Sequence, residues 1–164
     1  MDAGSMIETP FYLRPVSEAD VPHFFEHSQD EDAIRMAAPA SVAAEWPEFE
    51  RKWDRIRSSD AFLCRSVISG SEVAGYVARF PQMDVPSVSY WFARPLWGRG
   101  LARQALRLFL EQVADRPLYA RVASGNAASL RVLTSNGFNR IDTSSYFSAA
   151  LGKDVEEVIL RLDG

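Results

Sequence analysis

The sequence has few of the residues that crosslink a chain, bind metals or cross a membrane. Its 164 residues include one cysteine, Cys64, so no intramolecular disulfide can form. Cys64 lies in the apolar stretch 61–64, where a small buried thiol is ordinary, and we do not expect it to be catalytic. No run reaches the roughly 18 apolar residues of a transmembrane helix, and the N-terminus lacks the basic and apolar regions of a signal peptide. These absences predict a cytoplasmic protein that does not act in a membrane.

Histidine is also scarce, and His23 and His27 are the only two. They stand four residues apart, as metal ligands on a helix can, but no third ligand follows at a suitable spacing. The sequence therefore predicts no metal site.

The charge is modest and acidic. The net charge of −4 comes from 22 acidic and 18 basic residues without a Lys/Arg cluster. This balance argues against a nucleic-acid groove and mildly favours cationic partners. Asp30, Glu31 and Asp32 form an acidic run that would attract a cationic substrate, although a solvated helix end is the more common interpretation of such a run.

Residues 7–164 are predicted to form one domain. The 47% hydrophobic and 24% charged content matches one compact globular domain, and no repeat or low-complexity tract divides the chain. Residues 1–6 end in Gly4-Ser5-Met6, which looks like a tag remnant or disordered terminus ahead of a natural start at Met6. We leave those six residues out of the fold prediction.

The hydrophobic pattern alternates between strand and helix periods. Ser17 and Asp20 predict a capped first helix, and a second helix is expected after Ser41, with an aromatic face more typical of core than of a ligand site. The predicted strands are 11–14, 62–68, 73–80, 88–92, 118–123, 138–148 and 154–162, and the later helices are 101–114 and 127–136. This order predicts a mixed α/β sheet.

The stretch from 89 to 106 combines a strand, a turn and a helix. Pro95 stops the ladder pairing of the strand, and Gly98 and Gly100 permit backbone conformations and a close ligand approach that a Cβ would obstruct. The N-terminus of the following helix offers free N–H groups and the positive end of a dipole, which favour a phosphate. Arg99 and Arg103 bracket the turn. The pattern fits neither a Walker loop nor a Rossmann fingerprint, and a plain tight turn is the alternative.

Several segments, in this order and spacing, resemble the GNAT acetyltransferases, and more narrowly the RimJ/RimL-type N-acetyltransferases. They are Leu13-Arg14-Pro15, 73–77 (VAGYV), 90–102 (YWFARPLWGRGLA), 126–129 (NAAS), Val132-Leu133 and 136–138 (NGF). The resemblance covers nearly the whole chain. It implies a GNAT fold of the α/β (α+β) class: a mixed, mostly antiparallel sheet with splayed middle strands and about four flanking helices.

The resemblance also implies a donor site for acetyl-coenzyme A. Its pyrophosphate would take the backbone amides of the turn from Trp97 through Gly98, Arg99, Gly100 and Leu101 to Ala102, with charge added by Arg99 and Arg103. The strand before the turn would bulge, and the backbone groups of Phe92, Ala93 and Arg94 would face the pantetheine and the thioester. An amide aimed at the thioester oxygen would stabilise the oxyanion, where one such donor is worth roughly 100- to 1000-fold in rate.

Asn126 and Ser129 match the family's Asn-x-x-Ser pattern. The resemblance implies that Asn126 contacts the cofactor arm and that Ser129 is the general acid toward the departing thiolate. Residues three apart share a helix face, so both side chains can reach one cleft. Asn126 also has the residue type of a helix cap, and the two roles are compatible. Many relatives place a tyrosine acid where Leu133 stands here, which moves the assignment to Ser129.

The general base is the main departure from the family pattern. Relatives often carry a Glu where this chain has Ser87. Asp84 is a nearby candidate for a catalytic carboxylate, but it can equally belong to the loop 81–86.

The resemblance implies an N-acetyltransferase in which a free amine attacks the thioester directly. An unperturbed α-amine near pKa 8 needs about 1.4 kcal/mol to lose its proton at pH 7, against roughly 4.6 kcal/mol for lysine. Weak base assistance therefore favours a protein N-terminus as acceptor. A small amine or aminoglycoside acceptor and a non-catalytic acyl-coenzyme A sensor remain alternatives. The segment 29–44 shapes the acceptor cleft in this family, and either a monomer or a homodimer is compatible with the sequence.

Overall fold

The structure is a computed structural model that describes residues 10–37, 45–149 and 151–164. The strands are β1 Phe11–Pro15, β2 Leu63–Ser69, β3 Glu72–Gln82, β4 Val85–Phe92, β5 Leu118–Ala123, β6 Asn139–Ser148 and β7 Lys153–Leu162. The α-helices are α1 Val21–Ser28, α2 Glu31–Ala37, α3 Trp46–Ser58, α4 Leu101–Leu110 and α5 Ala127–Ser135. Single 3-10 turns cover Glu18–Asp20 and Arg94–Leu96. None of the helices in these ranges is long and apolar enough to span a membrane.

The strands form one mixed sheet in the order β1-β2-β3-β4-β5-β7-β6. Neighbours are antiparallel except β4 and β5, which are parallel and pair only at Ser87 and Tyr119. Beyond that pair the two strands diverge, β4 continuing to Phe92 and β5 to Ala123. The predicted mixed sheet with splayed middle strands is therefore confirmed.

The two faces of the sheet carry different cores. On one face, α4 and α5 pack buried leucines and Phe109 against Val88 and Phe92 of β4. On the other, α1 and α3 bury Phe24, Phe49 and Trp53, with Tyr76 of β3 packed against them. The aromatic face predicted for the second helix is thus core, and the residues of that helix prediction before 45 lie outside the described ranges. Cys64 is half-buried, and burial raises the pKa of its thiol to about 11.

The helix count differs from the prediction because the segment after α1 contains α2. Asp30 caps this helix by accepting a hydrogen bond from the Ala33 amide at 3.0 Å, and Glu31 and Asp32 occupy its first turn. Acidic residues favour a helix N-terminus because they complement its dipole. The chain therefore has five α-helices in the described ranges rather than about four. Helix α4 also ends at Leu110, earlier than the predicted 114.

The predicted loop 81–86 is instead the end of a β-hairpin. Pro81 lies opposite Pro86, and only Met83 and Asp84 form the turn. The Ala93 amide donates to the Ala74 carbonyl at 2.9 Å, which makes alternate pairs along this register non-hydrogen-bonded. The two prolines fall in such a pair, so neither needs an N–H to bond the other strand.

Asp20 ties the first helix to the sheet. Its carboxylate is 2% exposed and accepts hydrogen bonds from Arg14 at 2.7 and 2.8 Å, from the Ser17 amide at 2.9 Å and from Ser66 Oγ at 2.6 Å. Burial alone would raise the pKa of this carboxyl, but the donors outweigh it and lower the pKa to about 2. Four donors from β1, β2 and the cap of the 3-10 turn after β1 thus converge on one buried charge.

The Asp20 cluster predicts an acid-sensitive fold. The pKa of the Asp20 carboxyl is about 2 in the folded protein and 3.8 ordinarily. The stability that the ionised carboxylate adds to the fold is therefore complete above about pH 4 and is lost as the pH falls toward 2. Asp20→Asn is expected to lower the free energy of unfolding at pH 7 by about 2 kcal/mol, and the difference from wild type should shrink in acid. Urea unfolding at neutral and acid pH measures this. The exposed Asp60→Asn is the matched control, and equal wild-type and Asp20→Asn stabilities at pH 7 would contradict the account.

Candidate active site

A cavity of about 730 Å³ opens where β4 and β5 separate. It is lined by the ends of both strands, the turn 96–100, the first turn of α4 and one face of α5, together with Ala33 of α2 and Tyr76 of β3. Nine of the residues predicted from the sequence line it: Phe92, Trp97, Gly98, Gly100, Leu101, Ala102, Arg103, Asn126 and Ser129. The divergence of the two strands therefore gathers residues that are up to 37 positions apart in the chain, from Phe92 to Ser129.

The turn before α4 has the conformation that its glycines predict. Gly98 and Gly100 have φ values of 78° and 76°, in the left-handed region that side chains other than glycine disfavour. Gly100 is also the N-cap of α4 and has no side chain to cap the helix. The first amides of α4 therefore lack a side-chain acceptor and face the end of the cavity with the positive end of the helix dipole.

The charge of the cavity lining is positive. Arg103 of α4 and Arg131 of α5 line it, and neither side chain has an ion-pair partner in the described part of the chain. Arg121 of β5 also lines it and is bound to Glu157 at 2.6 Å. Within the described ranges the lining contains no Asp, Glu or His. Together with the uncapped helix end, this donor set fits a phosphate-bearing ligand.

The backbone of β4 directs one amide into the cavity. Because Ala93 bonds β3 through the Ala74 carbonyl, the adjacent Phe92 directs its N–H and C=O away from β3. On that side β5 has already diverged, and the Phe92 carbonyl instead accepts a hydrogen bond from the Trp97 indole at 3.0 Å. The register thus aims the Phe92 amide at the cleft, on the same edge of β4 as the backbone groups of Tyr90.

The predicted bulge in β4 is wrong. The register between β3 and β4 is continuous from Gly75–Phe92 to Gln82–Val85. The irregularity lies in β3, where Ala74 is passed over between the pairs Val67–Gly75 and Ile68–Val73. The bulge therefore sits one strand away from the expected place, behind the β4 backbone.

Gly75 lets β3 approach β4 closely at this point. A Cβ on Gly75 would overlap the Trp91 carbonyl oxygen and lie 2.9 Å from the Phe92 Cα. Only a residue without a side chain permits this spacing. The position of the Phe92 amide thus depends on a glycine in the neighbouring strand.

Three of the residues predicted for the donor site do not line the cavity. The Ala93 amide bonds Ala74, and the carbonyls of Ala93 and Arg94 accept the amides of Leu96 and Trp97. The Arg94 guanidinium binds Asp30 at 2.9 Å and Asp32 at 3.4 Å. Arg99 is exposed on the outside of the turn. Of the acidic run, two members are therefore paired with an arginine of the protein itself.

Asp84 lies far from the cavity. It forms the turn of the β3–β4 hairpin with Met83, and both have positive φ values, 53° for Met83 and 65° for Asp84. This is the backbone of a two-residue hairpin turn, a conformation that Asp tolerates. At about 3.3 Å per residue, β4 separates this turn from Phe92 by roughly 25 Å. Ser87 is buried where β4 and β5 still pair, and it does not line the cavity.

Asn126 and Ser129 begin α5 at the cavity wall. Asn126 Oδ1 accepts a hydrogen bond from the Ser129 amide at 3.1 Å, so Asn126 is the helix cap, as its residue type predicts. Both residues line the cavity. The cap fixes the first turn of α5, on which Ser129 is carried.

Tyr90 is a site residue that the sequence analysis missed. Its hydroxyl lies 2.7 Å from Ser129 Oγ, and both residues line the cavity. Burial raises the pKa of the Tyr90 phenol to about 12, although the bond to Ser129 opposes this rise. A signal was available, because residues two apart on a strand share a face, and Phe92 had been assigned to the site.

The opposite face of β4 forms the other end of the cavity. Ser89 and Trp91 line this end with Ala33 and Tyr76. The Trp91 indole donates a hydrogen bond to the His27 carbonyl at 3.2 Å, which joins β4 to α1. This end is neutral and largely aromatic, in contrast to the arginines at the other.

Comparison with known proteins places the chain in a family. Residues 11–139 match the acetyltransferase (GNAT) domain. None of the curated proteins compared with the chain matches it. Among solved structures, a ribosomal-protein-alanine N-acetyltransferase from Brucella melitensis has a TM-score of 0.79 at 22% identity, over 93% of this chain and 99% of that chain.

Two other solved structures share the fold. The yncA protein from Salmonella typhimurium, solved with its cofactor acetyl-CoA, has a TM-score of 0.79 at 18% identity, over 94% of each chain. A spermidine N-acetyltransferase from Vibrio cholerae, in complex with CoA and spermine, has a TM-score of 0.76 at 15% identity, over 92% of this chain and 95% of that chain. At such low identities these likenesses concern the fold.

The matched stretch contains the splayed strands, the glycine turn and the uncapped start of α4, which together fit a phosphate-bearing donor. The chain therefore belongs to the acetyltransferase (GNAT) domain family and is an acetyl-CoA-dependent N-acetyltransferase.

Proposed function

We propose that this enzyme acetylates the α-amine of a protein or peptide N-terminus, as the RimJ/RimL-type enzymes that the sequence resembles do. The observation that carries the proposal is the cavity lining, which has no carboxylate or imidazole in the described ranges. The stretch 38–44, APASVAA, adds no ionisable side chain to the sequence near α2. Deprotonating an α-amine at pH 7 needs about 3 kcal/mol less than deprotonating a lysine-type amine. A site without a basic side chain therefore suits the α-amine.

The donor end of the cavity supports a defined arrangement of acetyl-coenzyme A. The amides from Gly98 to Arg103 would hold its pyrophosphate, because the glycine turn and the uncapped helix expose them, whereas the Trp97 amide is bound to the Arg94 carbonyl. Arg131 supplies further positive charge from α5. Asn126 lines the path between this end and Ser129 and would contact the pantetheine arm.

The reacting groups would lie between the two ends. The Phe92 amide would donate to the thioester oxygen and stabilise the oxyanion that forms when the amine attacks. Ser129 would donate a hydrogen bond from its hydroxyl to the departing sulfur as negative charge develops there. Acetyl-coenzyme A supplies the activated acetyl group. We leave Asp84 out of this arrangement, and the amine would release its proton to water.

A polyamine acceptor has less support. The Vibrio cholerae relative is a spermidine N-acetyltransferase, and a polyamine carries several positive charges. Here the ionisable side chains of the described cavity lining are arginines, apart from tyrosines, and Asp30 and Asp32 are bound to Arg94. The neutral end of the cavity has no carboxylate among its described lining residues to bind the charges of a polyamine, so we expect a polyamine to be a poor acceptor.

An acceptor assay tests the proposal. Thiol release from acetyl-coenzyme A would be compared for a lysine-free peptide with a free N-terminus, the same peptide N-terminally blocked and carrying a lysine, spermidine, and an aminoglycoside. The free N-terminus is expected to give a kcat/KM more than about tenfold above the others, because of the difference in amine pKa.

The contrary outcomes are distinct. Faster acetylation of the blocked lysine peptide, of spermidine or of the aminoglycoside would overturn the N-terminal assignment and name the acceptor. Binding of acetyl-coenzyme A in a calorimeter without turnover of any acceptor would instead favour a non-catalytic coenzyme-binding module.

Asp84→Asn tests whether a carboxylate at the hairpin turn takes part in the reaction. Asn accepts positive φ values as readily as Asp, so the turn should be preserved. Because the turn is far from the cavity, kcat is expected to stay within about twofold of wild type across the pH profile. A large loss of kcat, with the acidic limb of the profile altered, would show that Asp84 is the base.

A further inference from the structure

We propose that Tyr90 is a positioning residue for acetyl transfer, holding the Ser129 hydroxyl so that its hydrogen is directed into the cavity. The inference rests on the role proposed above for Ser129. It adds a side chain from β4 to a machinery in which the sequence analysis assigned that strand only backbone groups.

The geometry links two elements that are distant in sequence. Tyr90 Oη lies 2.7 Å from Ser129 Oγ and 3.4 Å from the Ser129 carbonyl oxygen. The Ser129 amide is meanwhile held by Asn126 Oδ1 at 3.1 Å. Ser129 is thus fixed both through its backbone, by the cap, and through its side chain, by the tyrosine.

Without Tyr90 the serine hydroxyl has other choices. A serine in a helix can turn among three staggered rotamers and can donate its hydrogen to a carbonyl one turn earlier. Either change would take the hydroxyl hydrogen out of the cavity. When the Tyr90 hydroxyl on β4 donates to Ser129 Oγ, it favours one rotamer of Ser129. Tyr90 then does not accept the serine hydrogen, so that hydrogen has no competing acceptor on the β4 side.

The direction of the Tyr90–Ser129 bond follows from the acidity of the two groups. A phenol is the more acidic hydroxyl and hence the better donor, and the buried Tyr90 keeps its proton at neutral pH because its pKa is raised to about 12. Tyr90 therefore donates to Ser129 Oγ. Such a bond polarises the serine hydroxyl and strengthens its own donation to a third group.

The acetyl group passes from the coenzyme sulfur to the amine nitrogen. The amine nitrogen forms a bond to the acetyl carbon, the carbon–sulfur bond breaks, and its electron pair goes to sulfur. Ser129 Oγ donates a hydrogen bond to that sulfur as the charge develops. Water takes the proton that the nitrogen releases and returns one to the thiolate, so Tyr90 and Ser129 keep their protons at the end.

A double-mutant cycle tests the coupling. The variants are Tyr90→Phe, Ser129→Ala and the double variant, assayed for kcat at saturating acetyl-coenzyme A with whichever acceptor the panel selects, while calorimetry gives the Kd for acetyl-coenzyme A. Using the selected acceptor separates this test from the N-terminal assignment, since a different acceptor changes only the substrate used. Tyr12→Phe on the exposed edge strand β1 is the matched control.

If Tyr90 acts through Ser129, Ser129→Ala lowers kcat by about 100-fold and Tyr90→Phe by about tenfold. The double variant should then equal Ser129→Ala alone, with the Kd for acetyl-coenzyme A unchanged. A purely packing role would instead make the two losses multiply, and an unchanged kcat in Tyr90→Phe would also overturn the proposal.

A second measurement does not depend on turnover. The phenol of Tyr90 can be followed by the ultraviolet absorbance of its phenolate, with Tyr90→Phe identifying its signal. Once Tyr90 ionises, the Ser129 hydroxyl can turn and donate to the phenolate, which lowers the pKa of Tyr90, so Ser129→Ala should shift that titration to higher pH. An unshifted titration would show that the two hydroxyls are not bonded and would contradict the proposal.

Discussion

The active site depends on the loss of pairing between β4 and β5. The strands are joined at Ser87 and Tyr119 and diverge immediately afterwards, so the outer backbone edge of β4 has no partner strand. Unpaired amides in a protein interior are costly unless they meet another acceptor. The cavity supplies the space for one. The same divergence leaves the backbone edge of Phe92 facing the cleft, brings α4 and α5 to the cleft and separates a positive donor end from a neutral aromatic end.

Strand β3 fixes the position of the β4 backbone that carries the Phe92 amide. Gly75 lets β3 approach the Trp91–Phe92 backbone more closely than any side chain would allow, and the Ala93–Ala74 bond fixes which way Phe92 faces. The Trp97 indole then occupies the Phe92 carbonyl, which leaves the amide as the group directed into the cleft. A backbone donor, which substitution cannot remove directly, is thus controlled by residues that substitution can reach.

Local signals predicted most elements and the glycine turn, because period, proline and glycine act within a few residues. They failed where the deciding contact is distant. Pro81 and Pro86 have the composition of a loop, yet they end a hairpin because both fall at a non-hydrogen-bonded pair. The acidic run predicts a cation site or a solvated helix end, whereas Arg94, more than sixty residues away, binds two of its members. Tyr90 joins Ser129 only because the fold brings β4 against α5, which no spacing within either segment reveals.

We expect the cleft between β4 and β5, with the Phe92 amide and the start of α4, to receive the acetyl-coenzyme A donor. Nuclear magnetic resonance of the nitrogen-labelled protein, titrated with acetyl-coenzyme A, tests it most directly. The amide of Phe92 and those of residues 98–103 should show the largest shift changes, while the amides of the edge strand β6 stay unchanged. Unchanged signals from Phe92 and the α4 start at saturating ligand, with changes elsewhere, would contradict this expectation.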